Sequence, residues 1–162
     1  MKTKLLVPVF FLLTLTLVQA QQKYPKDFQV TYNWSNGSLP PQYQYVYNIA
    51  INPVDSCTFE LRGHNENDSL WIRKFAVSKE DIAKLYKMML KINYFKRKWS
   101  YSKIMLCGAK VEGMEARANK KSVKIEGQLE QKDYDKISGV YSFIKSLVPK
   151  DIWDEFEKVV GS

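Results

Sequence analysis

The chain is poor in the residues that carry most enzyme chemistry. It has one histidine, His64, and two cysteines, Cys57 and Cys107, in 162 residues. A structural or catalytic transition-metal site draws three or four ligands from such side chains, so no metal cluster can be read from the spacing. His64 lies in the polar run Arg62 to Ser69 with Glu66 and Asp68 beside it, and reads as a solvated loop tip. A Cys107 nucleophile with so distant a base has no local support. No Gly-x-Ser-x-Gly elbow, phosphate loop or dinucleotide fingerprint occurs. Carboxylate pairs such as Glu112 with Glu115 are of a kind that any chain of this length contains. No catalytic, cofactor-binding or metal-ligating residue is assigned. Repeats, low-complexity tracts and a second linker are absent as well, which leaves one domain.

Long apolar runs are missing beyond the first twenty residues. Lys2 and Lys4 precede an apolar run from Leu5 to Val18, and Val18-Gln19-Ala20 is a small-residue cleavage signal, the pattern of a secretory signal peptide cut before Gln21. The run is shorter than the roughly 20 residues that cross a bilayer, and Pro8 interrupts it. No cysteine stands at the cleavage point to carry a lipid. The expectation is a signal peptide over 1–20 and a single domain over 21–162, periplasmic or secreted, with no transmembrane segment after cleavage. In an oxidising compartment Cys57 and Cys107 are expected to pair as a disulfide, which would constrain the unfolded chain by roughly 4 kcal/mol. The alternative is two buried thiols acting as small hydrophobes.

Lysine and arginine number 25 against 17 aspartate and glutamate, a formal charge of +8 that falls to +6 once Lys2 and Lys4 leave with the signal. Such an excess favours anionic envelope components or acidic proteins, and in its blander reading only keeps a lysine-rich surface solvated.

What the chain has is aromatic alternation. Phe28, Val30, Tyr32 and Trp34 fall on every second position of a first strand. Pro40 and Pro41 lead into Tyr43, Tyr45, Tyr47, Ile49 and Ile51, a second strand face, with Cys57, Phe59 and Leu61 returning as its partner. A fourth strand is read from Leu70 to Val77. Ser78-Lys79-Glu80-Asp81 is a helix start in which Ser78 caps the Asp81 N–H, followed by the stripe Ile82, Leu85, Tyr86, Met89 and Ile92 or Asn93. A hairpin turns at Asn119-Lys120-Lys121. A second helix carries Tyr134, Ile137, Val140, Tyr141, Ile144 and Leu147 up to Pro149, and a third buries Ile152, Trp153, Phe156 and Val159. Strands first, then a helix, a hairpin and terminal helices imply an α+β domain whose antiparallel sheet is covered by helices on one face.

Two surfaces could bind. The connector Lys96, Arg97, Lys98, Trp99, Tyr101 and Lys103 mixes cations with rings, so charge would draw an anionic polymer and the rings would stack on it; nucleic acid is an uncommon partner for an exported domain. The ten tyrosines would be a recognition face if exposed. Sequons at Asn33, Asn36 and Asn67 matter only in a eukaryotic secretory pathway.

At Tyr32-Asn33-Trp34 through Gly37-Ser38-Leu39-Pro40-Pro41-Gln42-Tyr43, and again at Ile144 to Pro149 with Ile152-Trp153, the chain resembles a loose group of small exported bacterial proteins of uncharacterised function. The resemblance implies a strand, a Gly-Ser-x-Pro-Pro-x-Tyr turn, a long strand and a helix after the sheet; it implies no activity and does not reach the basic connector. The reading is an exported, non-enzymatic binding domain. Its alternatives are an envelope hydrolase or accessory enzyme using carboxylates, and an inhibitor of a secreted enzyme.

Overall fold

The computed structural model describes residues 23–37, 39–40, 43–63, 69–103 and 109–160. The expected signal peptide, His64 with Glu66 and Asp68, the Asn67 sequon and Cys107 lie outside the described residues. Along the chain run β1 (Gln29–Ser35), β2 (Val46–Ile51), β3 (Cys57–Arg62), β4 (Ser69–Phe75), α1 (Lys79–Lys91), β5 (Val111–Ala118), β6 (Lys121–Ile125), α2 (Gln131–Ser146) and α3 (Lys150–Val160). The strands make one antiparallel sheet in the order β4-β3-β2-β1-β5-β6, so β1, the first strand of a four-strand meander, sits inside it with the late β5–β6 hairpin on its other side. The domain is α+β, with its helices on one face of the sheet.

Register explains why one face is the core. Alternate side chains of aligned strands stack into rows. One row runs Phe75, Cys57, Ile51, Val30, Ala116, Val123 and the next Arg73, Phe59, Ile49, Tyr32, Met114, Ile125. The third runs Trp71, Leu61, Tyr47, Trp34, Glu112. The opposite face is polar, with Asn33 donating to Asn48 at 2.6 Å and Arg62 paired to Glu60 at 3.0 Å.

Each helix covers its own part of the inner face. Helix α3 lays Trp153 and Phe156 edge-on to Tyr47 and Phe59, with centroids 5.0 to 5.8 Å apart. Helix α2 sets Tyr141 on Tyr32 at 5.2 Å. Helix α1 brings Tyr86 to Phe28 at 5.0 Å. Such ring pairs contribute about 0.5–1.5 kcal/mol each beyond the area they bury. The termini of α1 follow from local chemistry. Ser78 Oγ accepts the Asp81 N–H at 3.0 Å, and Asn93, at φ 56°, ends the helix in a left-handed residue. Tyr94 N–H then reaches back to Met89 O and Asn93 N–H to Leu90 O, both at 2.9 Å, which is a Schellman closure with buried Met89 and Tyr94 as its apolar contact. Thus placed, the Tyr94 hydroxyl lies 2.9 Å from Met114 O and 3.0 Å from Val123 O, tying the helix end to the late hairpin. That hairpin turns through Asn119 and Lys120, both left-handed, and the Asp27 carboxylate accepts their two backbone N–H groups at 2.8 and 2.6 Å.

Two expectations are corrected. The tyrosine strand begins at Val46 and not at Tyr43. The Asn36 side chain takes the Tyr45 N–H and donates to Tyr43 O, and Tyr43 N–H bonds Pro40 O, so this stretch closes a loop and Tyr43 is 63% exposed. The expected disulfide is not formed, for Cys57 is a free, buried thiol. Burial pushes the Cys57 thiol pKa up.

Candidate functional site

The inner-face row that ends on β5 changes character at its last member. Met114, Ala116 and Ala118 are buried, and parity puts Glu112 on the same face, with its side chain 12% exposed. Three donors from two elements converge on its carboxylate. Tyr32 of β1 donates to Oε1, Tyr134 of α2 donates to Oε2 at 2.7 Å, and Lys145 of α2 donates to Oε1 at 3.0 Å. Burial works against ionisation of Glu112, but the three hydrogen bonds and the lysine charge outweigh it and hold the pKa below its usual 4.5. The tyrosines answer in the opposite sense. Tyr134 is pushed up to about 12, by its bond to Glu112 first and burial second, and Tyr32 is driven far higher by burial, by Tyr47 and by Glu112.

This cluster forms one wall of a cleft of about 700 Å³. Trp34 stands beside it, stacked on Tyr47 at 5.0 Å and 15° on one side and approached by Lys110 Nζ at 5.9 Å. The opposite wall is the segment Gly127 to Gln131 that leads into α2. Gly127 has φ 79°, which lets the chain leave β6 sharply. Ser102 N–H donates to Gln128 O at 2.8 Å and Glu130 N–H to Ser100 O at 2.9 Å, so the connector is stitched along that wall. Tyr141 closes the floor; it is 1% exposed and its buried hydroxyl has no hydrogen-bond partner among the described residues.

The connector residues do not share one surface. Arg97 is claimed by Asp133, the one buried charged residue of the described chain, at 2.9 Å, while Asp133 Oδ2 accepts the Ser100 N–H at 2.9 Å. Burial opposes ionisation of Asp133, yet the Ser100 bond and Arg97 keep its pKa low. Trp99 packs on Tyr94 at 5.7 Å under the Arg97 guanidinium. Lys96, Lys98, Tyr101 and Lys103 are exposed, so the outward part of the segment is three lysines and one ring. Glu112 and Glu115 face opposite sides of the sheet, as an odd separation on a strand requires; Glu115 accepts from Ser122 at 2.9 Å. Among the described residues no group of three or more His, Cys, Asp or Glu is placed to hold a metal, and no helix is long and apolar enough to cross a membrane.

Sequence reasoning missed Trp34, Tyr134 and Lys145 as site residues, and the available signal was an acid at an inward position of a strand. The class these observations define is an α+β domain with a polar, aromatic-walled cleft at one corner of its sheet. Comparison with protein-family models and with the sequences of curated proteins finds no match.

Proposed function

We propose that the protein is an exported, non-enzymatic binding domain that holds an envelope component in the cleft beside Glu112. The observation that carries this reading is the state of the carboxylates. Glu112 accepts three hydrogen bonds and stays ionised, so it has no proton to give and little basicity to take one. Glu130, across the cleft, is paired with Lys132 at 2.8 Å. Acid catalysis needs a carboxyl with a raised pKa, and a carboxylate held ionised by three donors is its opposite. The same bonds make Glu112 a rigid acceptor, and rigid polar groups around an aromatic wall are how small-ligand sites fix orientation. The charged and apolar pattern of residues 1–20 supports export.

The test is expression of the full chain in a secreting bacterial host, intact mass of the exported product, and co-sedimentation with isolated envelope. A mass starting at Gln21 and sedimentation that weakens at least fivefold in Lys110→Glu support the reading. Retention of residues 1–20, or turnover of an envelope polymer that Glu112→Gln abolishes, overturns it.

A further inference from the structure

We infer that the cleft takes a neutral saccharide of about disaccharide size, stacked on Trp34. This inference rests on the binding-domain reading and narrows its ligand to one chemical class. The volume of about 700 Å³ lies in the range of small-molecule sites.

Charge decides the class. Lys110 and Lys145 bring two positive charges to the cleft and Glu112 and Glu130 bring two negative ones. An anion entering to meet Lys145 would lie against the Glu112 carboxylate 3.0 Å from that ammonium, and a cation entering to meet Glu112 would lie against Lys145. An apolar ligand would strip water from both without replacing it, which costs more than the contact returns. Vicinal hydroxyls escape this conflict, since each donates to a carboxylate and accepts from an ammonium. Lys145 spends one proton on Glu112, which leaves two, and the Tyr141 hydroxyl beneath is without a partner among the described residues.

Shape points the same way. The Trp34 ring is fixed by Tyr47 stacked at 5.0 Å and 15°, and Lys110 Nζ stands 5.9 Å from its centroid. A pyranose presents a face of C–H groups to such a ring and a rim of hydroxyls to the groups around it. Here that rim meets Glu112 and Lys145 on one side and Gln128 and Gln131 on the other. The lysine over the ring is flexible enough to swing aside or to close on the sugar.

The experiment is titration of the ¹⁵N-labelled mature protein with chitobiose, cellobiose and maltose, and separately with inorganic phosphate and citrate, followed by amide and indole shifts. The expected result is saturable shifts from at least one disaccharide, centred on the Trp34 indole N–H and the Gly127 and Gln128 amides, with at least tenfold weaker binding in Trp34→Ala and less than threefold loss in Trp34→Phe. Saturable shifts only from phosphate or citrate, shifts centred elsewhere, or none from any disaccharide overturn the inference. In each of those cases the binding-domain reading stands or falls on the envelope co-sedimentation alone. If Trp34→Ala does not fold, the position of the wild-type shifts decides.

Discussion

Replacing Glu112 with glutamine tests the site and the fold together. The substitution keeps the shape and removes the charge, turning one acceptor oxygen into an NH₂ that faces a tyrosine hydroxyl or the Lys145 ammonium. The carboxylate now accepts three bonds, and each bond to a charged group contributes about 1.5–3 kcal/mol. Glutamine keeps one oxygen to accept, the hydroxyls rotate, and Lys145, with a third of its side chain exposed, turns to water. The net loss is therefore about 2 kcal/mol, well under the full cost of breaking a buried pair. With a urea slope of about 1.5 kcal/mol/M, the unfolding midpoint drops by roughly 1.3 M near neutral pH. The pH dependence is the sharper test. The folded pKa of Glu112 lies below the 4.5 it has when unperturbed, so its stabilisation is present above that value and is lost as pH falls through the folded pKa. The gap between wild type and Glu112→Gln should accordingly be full at pH 7 and shrink progressively below about 4.5. A gap under about 0.5 kcal/mol at pH 7, or one that does not change down to pH 3, would refute the account of Glu112 as a charge held by three donors.

Gly113→Ala puts a Cβ 2.9 Å from the Ile125 carbonyl oxygen, a backbone atom that cannot swing away, so the β5–β6 hairpin must shift; denaturant unfolding should register a loss of about 1–3 kcal/mol. Asp133→Ala leaves the Ser100 N–H unpaired and frees Arg97, which is 27% exposed and so partly rescued by water; the expected cost is about 2 kcal/mol, with faster amide exchange at Ser100. Cys57 should resist a thiol reagent at pH 8 in the native protein and react on unfolding, since it is 3% exposed with its pKa pushed up by burial; reaction in the native state as fast as with free cysteine would contradict its placement.

Local patterns were legible because their causes are local. The alternation of Val30, Tyr32 and Trp34 and the Ser78 cap need only neighbours in sequence, and both appear in the fold. The tyrosine run misled at its start because alternation does not register what a distant side chain does: Asn36, seven residues before Tyr43, takes the backbone groups a strand would have used. The site was illegible for a related reason. Tyr32 and Glu112 are 80 residues apart, and only the β1–β5 register, which sets Trp34 opposite Glu112, makes them neighbours. Asp133 was hidden because an acid in the first turn of a helix is commonplace, and its burial depends on Arg97 arriving from the connector.

The cleft exists because β6 is short. Its ladder with β5 ends at the pair Met114 and Ile125, and Gly127 then turns the chain away, so β6 does not continue beside Val111 to Gly113. A sixth strand two residues longer would have carried the hairpin across this corner, and an apolar residue at 112 would have completed the third row. Instead the segment after Gly127 pairs with the connector through Ser100 and Ser102, which pulls it off the sheet and opens a gap before α2 begins. An acid can stand in that gap because Tyr32, Tyr134 and Lys145 all reach it there, whereas Met114, one pair further in, is fully buried. Glu112 therefore marks the boundary between the part of the sheet that the helices seal and the part left open as the cleft.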